Sequence, residues 1–141
     1  MRVIILDDKV SLRRATNGSA GYDLMAAIDE PIILRPNVPM LIPLGVKLEL
    51  DVGTAGMVLP RSGWGHKGLV LGNGIGLIDS DYRGQLMMSA LNRSYEPMII
   101  APYDRIAQLV IITVVTPPVE VVASFDTQTA RNDAGFGSTG A

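Results

Sequence analysis

The chain has 141 residues, which fits one domain with a small core. Contacts between subunits would add usefully to the stability of such a domain. Its formal net charge is −2 and no run of Lys or Arg stands out, so neither direct nucleic-acid binding nor membrane binding is expected. The chain has no cysteine and one histidine, His66, which excludes a disulfide framework, a cysteine nucleophile and a thiolate metal site and makes a histidine-rich metal centre implausible. This composition suits a reducing cytoplasm.

Short apolar runs predict a mostly β chain. The 15 glycines and 9 prolines lie between these runs rather than in one block. The N-terminal run is broken by Asp7 and Asp8 and is too short for a signal peptide or a membrane span, so it predicts a first strand. In chain order, the predicted strands cover residues 3–6, 31–34, 45–50, 56–59, 86–92, 98–101 and 108–115. One helical turn is compatible with residues 63–67.

Many short strands at regular spacing favour a sandwich, a jelly roll or a barrel, because these architectures bury or pair the edges of antiparallel sheets. From about Ser124 onward the sequence SFDTQTARNDAGFGSTGA is nearly free of aliphatic residues. Such a segment cannot stabilise its own fold by burial, so we expect it to be mobile until a ligand binds. The sequence therefore predicts a β domain over residues 1–123 and a flexible C-terminal arm over residues 124–141.

Three polar segments could carry chemistry. The turn GLIDSDYRG holds Asp79 and Asp81, but taken singly it is more typical of an exposed polar hairpin; a site with both as direct divalent-cation ligands is weaker still. PRSGWG offers Arg61, a hydroxyl and free backbone N–H groups, which suit a phosphate, although a solvated turn is the simpler interpretation of this motif alone. The C-terminal GFGSTG is a third cluster of donors, which an ordinary flexible tail would also explain.

The order of these segments is more specific than any one of them. SAGYDL at 19–24, PRSG at 60–63, GLIDSDYRG at 76–84, RIAQLV at 105–110 and GFGSTG at 135–140 follow one another along the chain. This arrangement resembles the five-motif pattern of the trimeric dUTPase family, from about Ala20 to Gly140.

The resemblance implies a fold, an assembly and a reaction. The fold would be all-β, a jelly-roll-like β-barrel of the dUTPase-like β-clip type. The assembly would be a homotrimer with active sites shared between subunits and closed by the C-terminal arm. The reaction would be Mg²⁺-assisted hydrolysis of dUTP to dUMP and pyrophosphate, which keeps uracil out of DNA and supplies dUMP for dTMP synthesis. The location would be the cytoplasm of a bacterium or of a virus-infected host cell.

The resemblance also implies residue roles. Asp79 would be the catalytic base that activates water for in-line attack on the α-phosphorus. Asp23 would touch Mg²⁺ through water, the metal being held mainly by the triphosphate. Tyr82 would pack on the deoxyribose and exclude a 2′-OH, and Asn73 would pair with uracil in a hairpin spanning about 72–82. The full substrate-binding set would be Arg61, Ser62, Gly63, Asn73, Gly76, Ile78, Tyr82, Gln108, Arg131, Phe136, Gly137, Ser138 and Thr139.

Two other functions remain open. A dCTP deaminase or a bifunctional relative on the same fold would need a glutamate base near the nucleobase, and the four glutamates of this chain lie outside the five segments. A non-catalytic nucleotide-binding homologue would not need Asp79, Tyr82 and Arg131 together. In the fifth segment, Asn132 and Ala134 stand where the family pattern has glycine. His66 has no slot in that pattern, so we expect it on the surface.

Overall fold

The structure is a computed structural model that describes residues 1–130, 132 and 133. Its elements in chain order are β1 (Arg2–Ile5), β2 (Tyr22–Met25), β3 (Ile32–Leu34), β4 (Met40–Glu49), β5 (Thr54–Pro60), α1 (Ser62–His66), β6 (Leu69–Leu71), β7 (Gly76–Ile78), β8 (Gln85–Asn92), β9 (Met98–Ile100) and β10 (Arg105–Thr113). In the described part of the chain, no helix is long and apolar enough to cross a membrane.

Two four-stranded antiparallel sheets build the body. One has the order β1-β4-β8-β6 and the other the order β2-β10-β5-β7, while β3 and β9 form a separate pair. The core between them takes side chains from both large sheets, among them the fully buried Leu44 and Met88 of the first and Leu24 and Leu109 of the second. The predicted all-β, jelly-roll-like barrel is confirmed.

The core follows from the alternation of side chains along the strands. In β8, QLMMSALN buries every second residue, including Leu86, Met88 and Ala90, and exposes Met87. Each large apolar side chain buried in this way contributes about 1.5–3 kcal/mol, so the alternation fixes which face of each sheet turns inward.

The sequence-based strands all appear, with shifts of a few residues at their ends, and the predicted helical turn corresponds to α1. Three further strands, β2, β6 and β7, were not predicted because each has only three or four residues beside glycine-rich turns. The hairpin expected over residues 72–82 is wrong. β6 pairs with β8 and β7 pairs with β5, so the two strands form no ladder with each other. A turn in which Gly74 N donates to Leu71 O at 3.1 Å carries the chain from one sheet to the other.

The regular structure ends before the predicted arm begins. β10 stops at Thr113, two residues earlier than predicted, and the described residues beyond 114 lie exposed and outside helices and strands. The boundary between domain and arm at residue 123 stays a prediction.

Candidate active site

Strand β5 separates the candidate site residues into two groups. Arg61 follows its last residue, Pro60, whereas Ile78 at the end of the antiparallel β7 pairs with Gly56 near its start. Asp79, the next residue, therefore lies beside Ala55, and both line one surface depression. From Ala55 to Arg61 is six residues, or roughly 20 Å at the rise of a β-strand. Within one chain, Asp79 and Arg61 cannot act on the same phosphate.

The first group surrounds a cavity at the C-terminal end of β5, which we call the anion cavity. It has a volume of about 280 Å³ and is lined by Ala15, Ser19, Ala20, Gly21, Asp23, Arg61, Ser62 and Gln108. Three predicted site residues, Arg61, Ser62 and Gln108, thus come together with the predicted metal contact Asp23. The rest of the lining, Ala15, Ser19, Ala20 and Gly21, comes from the loop before β2. The last three belong to the motif SAGYDL, but no roles were assigned to them.

A three-residue ion cluster lies at this cavity. Arg61 Nε is 2.8 Å from Asp23 Oδ1, and Arg105 Nη1 donates to Asp23 Oδ2 at 3.1 Å. The Asp23 side chain is only 9% exposed, so its charge needs these partners to be tolerated there. We call Asp23, Arg61 and Arg105 the charge triad; two cations and one anion leave it with a formal excess of one positive charge.

Gln108 is placed by strand pairing. It lies opposite Asp23 in the register of β10 with β2, and its Nε2 donates to the Pro60 carbonyl at 3.3 Å. Gly21 allows this arrangement, because a Cβ at that position would come within 2.6 Å of Gln108 Oε1. Gln108 therefore lies between the strand that carries Asp23 and the end of the strand that leads to Arg61.

Arg105 was missed by sequence reasoning. On regular alternation it would share the core-facing side of β10 with Ala107 and Leu109. A register shift between Arg105 and Ala107 breaks the alternation, so two successive residues, Ile106 and Ala107, are buried. The irregularity brings Arg105 to Asp23. The signal available in the sequence was the arginine at the head of RIAQLV, but its partner could not be predicted without the bulge.

The second group forms the turn over residues 79–84, which we call the base turn. A pocket of about 170 Å³ lies against it, lined by Leu77, Ile78, Asp79, Tyr82, Leu86 and Met87. Three of the predicted site residues, Ile78, Asp79 and Tyr82, thus share one small, partly apolar pocket. No arginine lines this pocket, in contrast to the anion cavity.

Backbone contacts fix the base turn while its carboxylate stays accessible. Tyr82 N donates to Asp79 O at 3.2 Å, and Arg83 Nη1 donates to the carbonyl of Ser80 at 2.8 Å. The Tyr82 hydroxyl donates to Gln85 O at 3.1 Å, and its ring lies so close to Gly84 that a Cβ there would clash. Asp79 is exposed, and across the described residues no donor or cation contacts its carboxylate.

The remaining predicted residues flank these two places. Gly76 is the first residue of β7, and Asn73 lies in the turn before it. The exposed Asn73 Nδ2 donates to Ile75 O at 3.3 Å. Gly63 lines a shallow cavity of about 190 Å³ with Arg61, Trp64 and Lys67. His66 is exposed, as expected.

The predicted residues of the C-terminal motif, Arg131, Phe136, Gly137, Ser138 and Thr139, lie outside the described residues, as does Ala134. Asn132 is described and adopts φ 39°, a left-handed conformation that asparagine tolerates. Its Oδ1 accepts from Thr129 N at 3.0 Å, which closes a local turn. The substitution of asparagine for glycine is therefore compatible with positive φ at this position.

The described residues offer few ligands for Mg²⁺. Among residues 1–130, 132 and 133, no three His, Cys, Asp or Glu side chains converge on one point. The anion cavity offers one carboxylate, Asp23, and both its oxygens are already in contact with guanidinium groups. This set does not form a protein cage for the ion, but it fits a hydrated Mg²⁺ carried by phosphates and touched by one carboxylate through water.

An antiparallel β-barrel with a cavity lined by Arg61 and a separate pocket of about 170 Å³ suits the binding of a phosphorylated small molecule. The dUTPase family model matches residues 7–140. A deoxyuridine 5′-triphosphate nucleotidohydrolase of Thiobacillus denitrificans is 56% identical over 128 residues, covering 89% of this chain and 87% of the relative. One of Burkholderia cenocepacia is 52% identical, covering 89% and 86%. The chain belongs to the dUTPase family.

Solved structures agree with this placement. The dUTPase of Staphylococcus bacteriophage 80alpha with bound dUPNHPP superimposes with a TM-score of 0.85 at 27% sequence identity, covering 99% of this chain and 98% of that one. A dUTPase from phage phi11 of S. aureus gives a TM-score of 0.78 at 26% identity, covering 90% and 98%.

Proposed function

We propose that this chain hydrolyses dUTP to dUMP and pyrophosphate. The observation that carries the proposal is the arrangement of the site in a member of the dUTPase family: an exposed aspartate beside a ring-sized pocket, and a separate cavity lined by phosphate-binding groups. In the cell, this reaction would keep uracil out of DNA and supply dUMP for dTMP synthesis.

The anion cavity would bind the phosphates. Arg61 supplies a planar guanidinium that suits phosphate oxygens, and Ser62, at the start of α1, adds a hydroxyl donor. Gln108 adds an amide, and Gly63 leaves the adjoining backbone open. Phosphoryl transfer depends mainly on positioning and on neutralising charge, and these fixed donors supply both.

Asp79 would act as general base. Its carboxylate is accessible and held on a rigid turn, so it can accept a proton from a water molecule aligned with the α-phosphorus. Such a base contributes about 10²–10⁴ in rate. The oxygen of that water then forms the new bond to phosphorus, and pyrophosphate leaves with the electron pair of the broken anhydride bond.

The pocket beside the base turn would select the nucleoside. Tyr82 lies where its ring can pack on a deoxyribose, so that an added 2′-OH would find no room. The backbone near Gly76 and Ile78 and the side chain of Asn73 offer the hydrogen-bonding groups that uracil needs. Phe136 would stack on the base and Arg131, Gly137, Ser138 and Thr139 would contact phosphates, but these residues lie outside the described ones.

Mg²⁺ fits the cavity as an ion carried by the triphosphate, with Asp23 as its contact through water. When bound, it would neutralise charge on the phosphates and order them. The protein's own residues do the rest: they hold the nucleotide, align the water and receive its proton.

The separation across β5 supports a site shared between subunits. Because Asp79 and Arg61 of one chain are roughly 20 Å apart, a single α-phosphate can meet both only if they come from different chains. A homotrimer with three such sites satisfies this condition, and closed cyclic symmetry is the common solution for repeated interfaces.

A pyrophosphate-release assay with Mg²⁺ and dUTP, dCTP, dTTP or UTP tests the activity. We expect turnover of dUTP alone, lowered at least about 10²-fold in Asp79→Asn. Asp81→Asn is the matched control, because Asp81 is an exposed aspartate of the same turn, and it should keep most of the activity. Well-folded wild type that leaves dUTP intact would refute the proposal, and release of ammonia from dCTP would favour a deaminase instead.

A further inference from the structure

Arg105 belongs to the charge triad but not to the wall of the anion cavity. The residues lining the cavity include Asp23 and Arg61, whereas Arg105 reaches only the far oxygen of Asp23. The Arg105 side chain is 45% exposed on its other side. A cation in this position can influence a bound anion in two ways, through its field or through the carboxylate that it holds.

The geometry favours the second way. The Asp23 carboxylate is 9% exposed; its Oδ1 forms an ion pair with Arg61 Nε at 2.8 Å, and its Oδ2 accepts a hydrogen bond from Arg105 Nη1 at 3.1 Å. Cationic contacts on opposite oxygens, one of them a charge-assisted hydrogen bond, fix the rotation of a carboxylate, which in turn holds the guanidinium of Arg61. Because Arg61 uses Nε for Asp23, its terminal nitrogens remain available to a ligand in the cavity.

We infer that Arg105 is a positioning residue, which locks the Asp23 carboxylate and thereby presents Arg61 to the phosphates; the inference rests on the proposed role of the cavity in binding them. Without Arg105, Asp23 has one cation instead of two. It then draws Arg61 into a tighter contact, and the formal charge of the triad falls from +1 to zero.

A double-mutant cycle on the full-length protein distinguishes positioning from a simple field effect. The readouts are the affinity for inorganic pyrophosphate by calorimetry and the steady-state kcat and KM for dUTP. Arg105→Ala should weaken pyrophosphate binding about tenfold, the size expected for a charge-assisted contact. In an Asp23→Asn background the same change should have little effect, because the carboxylate through which Arg105 acts is gone.

Equal losses in both backgrounds would overturn the inference, since a field effect does not need Asp23. Arg105→Lys should restore part of the affinity by contacting one oxygen. Arg35→Ala, which removes an exposed charge next to the β3 and β9 pair, is the charge control and should bind pyrophosphate like wild type. Thermal unfolding of each variant reports on the fold, and loss of affinity only in proportion to lost folded protein would also overturn the inference.

The two readouts separate this inference from the proposed function. If wild type binds pyrophosphate with the expected coupling but does not hydrolyse dUTP, the proposed function fails and Arg105 keeps its role at an anion site. If wild type hydrolyses dUTP and the cycle shows no coupling, the role of Arg105 fails alone. Wild type that does not bind pyrophosphate would overturn the inference through its premise, the anion cavity.

Discussion

The two ends of β5 hold their functional groups in opposite ways. At the C-terminal end, the buried Asp23 carboxylate is held by the partly exposed Arg61 and Arg105, so ion pairs and strand register fix the charge triad before any ligand arrives. At the N-terminal end, Asp79 is exposed on a turn stabilised by backbone contacts, and its carboxylate has no charged partner among the described residues. The charge-neutralising groups are thus preorganised, as electrostatic stabilisation requires. In the proposed function, Asp79 is left free to accept a proton and depends on another chain to meet the phosphate.

Complementation between inactive variants is the most direct test of whether Arg61 and Asp79 of one active site come from different chains. Arg61→Ala and Asp79→Asn should each be nearly inactive alone. Mixed trimers prepared by joint refolding should regain about a quarter of wild-type activity, because one in four shared sites then receives both intact residues. Pyrophosphate release before and after mixing measures the effect. A mixture of Asp79→Asn with Asp79→Ala is the control and should stay inactive; a variant pair that never regains activity would place both residues on one chain.

Removal of residues 131–141 tests whether catalysis also needs the C-terminal motif, in addition to the groups at the two ends of β5. The predicted donors and the aromatic residue of the C-terminal motif are lost, so we expect kcat to fall about 10²-fold while the barrel remains folded. The full chain carrying Val119→Ser, a change in the exposed segment before the motif, is a control for disturbance of that region. Full activity in the shortened protein would sink the proposal that the arm closes the site.

Changes at Tyr82 sharpen the role of the pocket beside the base turn. Tyr82→Ala should admit UTP and reduce the ratio of kcat/KM for dUTP over UTP about tenfold or more, because the ring that excludes the 2′-OH is gone. Tyr82→Phe keeps the ring and loses only the hydrogen bond to Gln85 O, so it should retain the discrimination. If the alanine variant rejects UTP as well as wild type does, another group guards the sugar.

The sequence carried more information about the base turn than about the charge triad. Asp79 and Tyr82 lie three positions apart in one motif, and the structure places them against one pocket. The triad draws its members from three segments far apart in the chain, and Arg105 enters it only because a bulge in β10 breaks the alternation. Bulges depend on the pairing of neighbouring strands, which a local pattern does not contain.

The separation of the two ends was likewise invisible in the sequence. PRSG and GLIDSDYRG lie close along the chain, and neither motif indicates how far apart they lie in space. Instead β7 runs back along β5, so Asp79 lies at the start of a strand whose end leads to Arg61. The register of a long-range strand pair reveals that distance, which supports the sharing of sites between subunits that the family resemblance had implied.

Tyr103 offers the smallest test, at a place away from both ends of β5. Its hydroxyl donates to Asp7 Oδ2 at 2.9 Å, and Lys9 N donates to Asp7 Oδ1 at 2.9 Å. The backbone bond from Lys9, and then the Tyr103 hydroxyl, lower the pKa of Asp7, while the bond to Asp7 raises the pKa of Tyr103. Because the pKa of Asp7 is lower in the folded than in the unfolded chain, its stabilising contribution is present above the unfolded pKa and is lost as pH falls through the folded pKa. Because the pKa of Tyr103 is higher in the folded chain, its contribution is present below the unfolded pKa and is lost as pH rises through the folded pKa.

Tyr103→Phe should therefore lower the denaturation midpoint slightly near neutral pH, and the difference from wild type should shrink towards both acid and alkaline extremes. Chemical denaturation at several pH values measures it. Tyr95→Phe, at a side chain that is 98% exposed, should leave the midpoint unchanged throughout. A Tyr103→Phe difference that is constant with pH would show that packing of the ring, rather than the bond to Asp7, stabilises this contact. The activity on dUTP should be unaffected, because neither Tyr103 nor Asp7 lines the anion cavity or the pocket at the base turn.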